Sequence, residues 1–260
     1  AKRLYRKVQK LSRGRSHAVA LEAALLDYLT FALKILKRGQ SLLDELKAQG
    51  VPPLFLHELE TTLGYLNTLQ DQVYRRHCLE ETIPHKEKIF SLFEPHTEMI
   101  AKGKAGVPFE LGLRVSIVED QYGFILHHQV MPHQTDDKVA VPLTDATLER
   151  FPALRGMSFD KGYHSPANQQ QLAERLERVT LPKKGKLNEA EQAREQDETF
   201  QRLRRQHSAV ESAINALEQG GLDKCPDHGM DGFQRYVALA VVSRNFKRLG
   251  QLIRQQELEK

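Results

Sequence analysis

Residues 154–163, LRGMSFDKGY, decide the fold expected for this chain of 260 residues. The apolar run 154–159 predicts a buried strand, and Asp160 follows it directly, before a glycine turn. Ser165-Pro166 then supplies an N-cap and a first-turn proline for a helix over residues 167–176. A strand, a turn and a helix in this order indicate an α/β domain.

The segments around this unit supply the other elements of that domain. Stretches rich in Val, Ile, Leu and Phe predict strands at residues 89–93, 111–118, 124–131 and 178–181. A turn at 119–123 makes the second and third of these a β-hairpin. Helices are predicted at residues 135–151, from Asn188 towards Leu217, and at 233–255. We therefore expect a sheet with helices on its faces over residues 89–260.

Residues 1–88 have a different pattern, in which apolar residues recur every three or four positions. This spacing predicts two or three packed helices, with breaks at Gly39 and at residues 50–53. The expected organisation is therefore a helical segment at 1–88, followed by the α/β domain.

The composition is that of a folded protein with a net charge of +4 and a pI near 9.0. The first fifteen residues are rich in lysine and arginine and contain no acidic residue, which suits either a phosphate backbone or a solvated helix face. Two cysteines and no run of about 18 apolar residues favour a reducing cytoplasm and no membrane span. The chain begins at Ala1 within a charged helix, so we expect a segment upstream of it.

Two carboxylates are the strongest candidates for chemistry. Asp160 stands at a strand end, where it can hold a divalent cation or form a local turn, and Ser165 already caps the next helix. Glu211 lies at the edge of an apolar helical stripe, where it can point into a cleft or into solvent. Carboxylates from two segments could hold Mg²⁺ or Mn²⁺ for phosphodiester cleavage.

Basic residues near these acids are the candidate contacts to DNA phosphates. They fall in a loop and in the helix that leads to Glu211. The candidates are Lys183, Lys184, Lys186, Arg204, Arg205 and His207.

Three motifs resemble the carboxyl-terminal half of bacterial DDE transposases, and most closely the insertion sequences grouped as ISNCY. They are Asp160-Lys161-Gly162-Tyr163 with Ser165, the HSAVE run at 207–211, and the AVVSRNF run at 240–246. The stretches EPHTE at 94–98 and KGK at 102–104 are similar to that group as well. The likeness covers residues 85–250.

The resemblance implies an RNase H-like core in which two aspartates and one glutamate surround catalytic Mg²⁺. It implies DNA cleavage and joining of a 3′ hydroxyl to target DNA, and it leaves a homodimer open. Asp160 corresponds to the second aspartate and Glu211 to the glutamate. The first aspartate has no match here, so we expect it upstream of Ala1, on a missing first strand, and expect this chain to be inactive alone.

Cut-and-paste relatives that form a DNA hairpin carry a tyrosine, arginine, glutamate and lysine pattern around the last acidic residue. This chain departs from that pattern, because Arg204, His207 and Glu218 occupy the three positions that flank Glu211. A hairpin-forming mechanism is therefore not implied. The alternative function is a catalytically inactive DNA-binding or regulatory remnant with a nuclease-like fold, whose DNA binding would depend on salt and not on a metal ion.

Overall fold

A computed structural model of the chain describes residues 2–12, 18–101, 109–207 and 209–259. The chain divides into two compact units, Ala1–Gly112 and Leu113–Lys260. The division therefore falls 24 residues after the position expected from sequence. The KGK stretch at 102–104 lies outside the described residues.

The first unit is a set of packed helices followed by a short hairpin. The helices are α1 (Lys2–Ser12), α2 (Ala18–Ala48) and α3 (Pro53–His77), and the strands are β1 (Glu98–Ala101) and β2 (Phe109–Gly112). The strands pair antiparallel. Leu43, Leu56 and Leu63 form the buried core between α2 and α3. The apolar spacing of three and four thus predicted the helices correctly.

Two predictions for this unit are wrong. Gly39 does not break α2, which continues through it to Ala48. Glycine fits here because α3 packs closely: a Cβ on residue 39 would lie 2.5 Å from a methyl carbon of Leu63. Residues 89–93 are not a strand. The side chain of Gln72 takes both backbone groups of Ile89, accepting from its N–H at 2.7 Å and donating to its carbonyl at 3.0 Å. These groups are then unavailable to a strand partner.

The second unit contains two pairs of strands. In the first pair β3 (Val115–Glu119) runs antiparallel to β4 (Ile125–Val130), as the predicted hairpin requires. In the second pair β5 (Gly156–Ser158) runs parallel to β6 (Arg178–Thr180). The single mixed sheet expected from sequence is not formed by the described residues, whose strands pair only in twos.

Six helices accompany these strands in the described part of the chain. They are α4 (Asp136–Arg150), α5 (Pro166–Arg175), α6 (Glu189–Gln196), α7 (Glu198–His207), α8 (Ala209–Leu217) and α9 (Gly229–Leu258). Asn188 caps α6 in a reciprocal capping box with Glu191. The continuous helix predicted from Asn188 is interrupted, because Asp197 has extended backbone angles between α6 and α7.

Two apolar clusters hold this unit together. Ala140, Phe159, Leu172 and Leu181 pack α4 and α5 against β5 and β6. Ile125, Leu217 and Val241 pack α8 and α9 against β4. Among the described helices, we find none that is long and apolar enough to cross a membrane.

Candidate functional site

The strand β5 presents Asp160 at its carboxyl end. Phe159 is buried and donates its N–H to the carbonyl of Thr180 at 2.9 Å, which fixes the chain up to the residue before Asp160. Asp160 then begins a 3₁₀ turn over Lys161–Tyr163, and its side chain makes no capping bond there. Ser165 caps α5 instead, by accepting the N–H of Asn168 at 3.1 Å. The Asp160 carboxylate therefore caps neither the turn nor α5. The sequence had indicated this, because Ser165 was the better cap.

His207 is the described partner of that carboxylate. Its Nε2 atom lies 3.2 Å from Asp160 Oδ1, and the side chains are 19% and 73% exposed, respectively. The hydrogen bond from His207 lowers the pKa of Asp160, and this outweighs the opposing effect of burial. Asp160 is thus an ionised, largely exposed carboxylate at the end of a strand.

Buried hydrogen bonds fix the turn that carries Asp160. The hydroxyls of Tyr163 and Ser116 lie 2.6 Å apart, which ties the turn to β3. The side-chain amide of Asn168, itself buried, donates to the carbonyls of Tyr163 at 2.8 Å and Asp137 at 2.7 Å. These bonds connect the turn to the first residues of α4. Asn168 was not foreseen from sequence, because nothing marks a buried asparagine in a polar helix.

Asp136, in the first turn of α4, is a second acid beside the turn. A Cβ on Gly162 would lie 2.5 Å from Asp136 Oδ2, so the carboxylate rests against the backbone there. Burial raises the pKa of Asp136, the charge of Asp160 raises it further, and Arg114 opposes both. Sequence reasoning used Asp136 only as part of a helix start and missed its place near Asp160.

Asp160 and His207 lie on the wall of a cleft of about 1230 Å³. Residues of β3 and β5 line it, together with residues of α7, α8 and α9. Arg205 also lines the cleft, whereas Arg204 is exposed and lies 4.0 Å from Glu195. The cleft thus gathers the carboxylates of Glu119, Asp120 and Asp160 with several arginines, and cations of this kind could contact a phosphate-bearing substrate.

Glu211 is exposed in the first turn of α8, one helical turn beyond His207. Its neighbour Val210 and, further along, Ile214 line the cleft, but within the described residues Glu211 does not. The structure therefore brings Asp160 together with His207 and leaves Glu211 out of the described lining of the cleft.

The three lysines of the predicted basic loop at residues 183–186 differ in their exposure and contacts. The Lys183 ammonium lies 2.6 and 2.7 Å from the two carboxylate oxygens of Glu191, and the Lys183 N–H donates to Glu195 at 2.6 Å. Lys184 and Lys186 are exposed. Lys184 and Lys186 can therefore reach a phosphate more readily than Lys183, whose charge is already matched.

Two arginines of α9 belong to the cleft and were not among the predicted contacts. Arg244 lies 3.3 Å from the buried Glu119 carboxylate, and Arg248 donates to the carbonyl of Tyr122 at 2.6 Å. Their spacing of four residues on one predicted helix was the available signal, since it places both side chains on one face.

The expected divalent metal can be tested against these positions. Carboxylate oxygens are suitable ligands, and Asp160 is ionised, but its described partner is a histidine. Among the described residues no group of three or more His, Cys, Asp or Glu side chains could hold a metal ion. The residues present therefore do not by themselves form a metal site.

Comparison with known families identifies the family of the chain. A family model described as a Transposase DDE domain matches residues 90–246, which is more than half of the chain. The chain belongs to the transposase DDE domain family, and a transposase role follows from that membership. No match was found among curated proteins or among solved structures.

Proposed function

We propose that this protein cleaves DNA at the ends of an insertion sequence and joins the freed 3′ hydroxyl to target DNA, with Asp160 and Glu211 as its catalytic carboxylates. The observation that carries the proposal is the position of Asp160, ionised at the carboxyl end of β5 and on the wall of the cleft. Family membership supports the DNA substrate. The exposed Lys184 and Lys186, with Arg204 and Arg205, would contact its phosphates.

We also propose that the two strand pairs belong to one RNase H-like sheet, completed by a strand that the described residues do not supply. The cleft is lined by consecutive residues, 115–122 and 155–160. Consecutive strand residues point to opposite faces, so a cavity that touches all of them runs along the strand edges. Each of these edges carries backbone groups that the observed pairing leaves open.

One hydrogen bond connects the two strand pairs. Ser116 lies near the start of β3, Tyr163 follows the end of β5, and their hydroxyls are 2.6 Å apart. The start of β3 and the turn after β5 are therefore held together, which is compatible with one sheet. Ser158 Oγ, buried and unpartnered in the described residues, lies on the wall of the cleft.

We propose that activity requires Mg²⁺ or Mn²⁺, held by Asp160, Glu211 and at least one further carboxylate. Such an ion would stabilise the charge that develops on the phosphate oxygens. Other residues of the chain would keep Asp160 ionised and in position. His207 holds Asp160 in its ionised form, and the bonds of Asn168 and Tyr163 keep the turn in place.

The test is cleavage, by the full-length gene product, of a labelled duplex that contains the element ends, with Mg²⁺ or with EDTA. We expect cleavage in Mg²⁺ only, and a loss of at least a hundredfold in Asp160→Asn. Asp223→Asn, which changes an exposed aspartate of the same unit, is the control and should retain activity. Metal-independent cleavage, or full activity of Asp160→Asn, would sink the proposal.

The second candidate is an inactive DNA-binding remnant, and the incomplete set of acids in the described residues favours it. It predicts salt-sensitive DNA binding that needs no metal, with no cleavage by the wild type. The same assay therefore separates the two functions.

We further propose that the protein is of the ISNCY type and acts in the cytoplasm, where its free cysteines Cys78 and Cys225 would stay reduced. A homodimer, which the resemblance leaves open, belongs to the same proposal. Gel filtration with light scattering would measure the assembly directly.

A further inference from the structure

The helix α1 separates its charged and apolar residues onto different faces. Lys2, Arg3, Arg6, Lys7 and Lys10 are all exposed. At 100° per residue they fall within an arc of about 140°. Leu4, Val8 and Leu11 are half-buried on another side, where α1 packs on α2. The apolar stripe thus serves packing within the unit, and the basic arc faces solvent.

A second group of cations lies on α2. Lys34, Lys37 and Arg38 are exposed, and no acidic residue occurs between Tyr28 and Leu43. At 100° per residue, Lys34 and Arg38 lie within about 20° of the direction of Asp27, and Lys37 lies about 80° from it. Asp27 pairs with Lys7 of α1 across 3.1 Å. Lys34 and Arg38 therefore lie on the side of α2 that faces the basic arc of α1, and Lys37 lies at its edge.

The two groups also meet along the helix axes. Only five residues separate α1 from α2, and Lys7 contacts Asp27, so the helices run antiparallel. Both helices rise by about 1.5 Å per residue, so Lys2, five residues before Lys7, lies beside residue 32, five residues after Asp27. Lys2 is therefore close to Lys34. Within the described residues, Lys7 is the one cation of these two groups that forms an ion pair.

We propose that this basic surface of α1 and α2 binds the phosphate backbone of duplex DNA. We define it by its cations, namely Lys2, Arg3, Arg6, Lys10, Lys34, Lys37 and Arg38. It lies outside residues 90–246, which match the DDE domain, and so gives the helical unit a role of its own. The inference rests on the proposed function for its choice of polyanion, and it adds a second, sequence-independent DNA contact.

The distribution of apolar residues favours DNA over a lipid surface. A helix that lies in a bilayer needs an apolar face beside its basic one. On α1 that face is already turned towards α2. A phosphate backbone requires only spaced, exposed cations, because it binds through charge and the release of counterions.

The test measures affinity for a 30-base-pair duplex against salt concentration, in EDTA so that no cleavage occurs. One variant carries Lys34→Gln, Lys37→Gln and Arg38→Gln, and a second carries Lys2→Gln, Arg3→Gln and Arg6→Gln. The control carries Lys47→Gln, Arg76→Gln and Lys86→Gln, three exposed cations elsewhere in the same unit. All four proteins have their folding checked by circular dichroism.

We expect each surface variant to reduce the slope of log K against log salt by about 2 to 3, and to weaken binding at least tenfold at low salt. The control should stay within about twofold of the wild type. Equal losses in control and surface variants, or no loss in either, would overturn the proposal. Binding to phosphatidylserine vesicles in place of DNA would overturn it too. None of these results depends on Asp160, so cleavage activity is judged separately.

Discussion

His207 of α7 reaches Asp160 at the end of β5, with Nε2 and Oδ1 3.2 Å apart. This bond connects the strand that carries one predicted catalytic acid to the helix that leads to the other. It is also the main reason why the pKa of Asp160 lies below its ordinary value.

Replacement of His207 by alanine should raise the pKa of Asp160, because the hydrogen bond that favours the carboxylate is lost. In the wild type the lowered pKa of Asp160 stabilises the folded state at pH values above about 3.9, the pKa of an aspartate in the unfolded chain. This stabilisation is lost as the pH falls through the pKa of Asp160 in the folded state. In His207→Ala the stabilisation from Asp160 should be smaller. Carbon-13 NMR titration of labelled aspartates measures the shift. An unchanged Asp160 titration would contradict the assigned bond.

Loss of Arg244 should be among the most damaging single changes in the second unit. Glu119 is 7% exposed and Arg244 17%, so Arg244→Ala leaves a buried carboxylate unpaired, at a cost of about 3 to 5 kcal/mol. Burial already raises the pKa of Glu119, and Arg244 opposes that rise. The variant should therefore lose stability as the pH rises from about 4.3 through the higher folded pKa.

Urea unfolding at several pH values measures this loss. Adding Glu119→Gln to Arg244→Ala should recover part of the stability, since it removes the unpaired charge. Strictly additive losses in the double variant would show that the pair is not coupled.

Gly162→Ala should destabilise the turn after Asp160. The added Cβ would lie 2.5 Å from Asp136 Oδ2, so either the carboxylate or the turn must move. We expect a loss of about 1 to 3 kcal/mol in the free energy of unfolding, measured in urea. Gly250→Ala in α9 is the control, because no atom lies within 4 Å of its Cβ, and it should gain about 0.5 to 1 kcal/mol. Similar effects of both changes would argue against the close approach.

Lys184 and Lys186 should contribute more to DNA binding than Lys183. The Lys183 ammonium is held by Glu191, so its neutralisation removes a charge that is already balanced. We expect Lys184→Gln and Lys186→Gln each to reduce the salt slope of binding by about 1, and Lys183→Gln to reduce it less. Fluorescence anisotropy at several salt concentrations measures the slopes. A larger effect of Lys183→Gln would reverse the assignment.

The sequence predicted those features that local patterns specify. The β3–β4 hairpin, the strand before Asp160 and the Ser165 cap of α5 were all correct, because turn residues, apolar runs and N-caps act over a few positions. Gly39 and residues 89–93 were predicted wrongly, because contacts with Leu63 and Gln72 from another helix decide their conformation. The position of Asp136 beside Gly162 was likewise set by packing between elements distant in sequence.

The geometry of the candidate site was predictable only in part. Asp160 could be identified from its place at a strand end, and the structure puts it in the cleft. The partnership with His207 depends on where α7 packs, which no pattern in the chain reveals. Glu211 was chosen for its place beside an apolar stripe, and its role stays a prediction.

The measurement that tests the central claim most directly is strand cleavage in Mg²⁺ by the full-length gene product carrying Glu211→Gln, beside Glu257→Gln, which changes an exposed glutamate of α9. We predict that Glu211→Gln loses at least a hundredfold in cleavage rate while it binds DNA and melts like the wild type, and that Glu257→Gln retains activity. Equal activity of the two variants would contradict a catalytic site that joins Asp160 and Glu211.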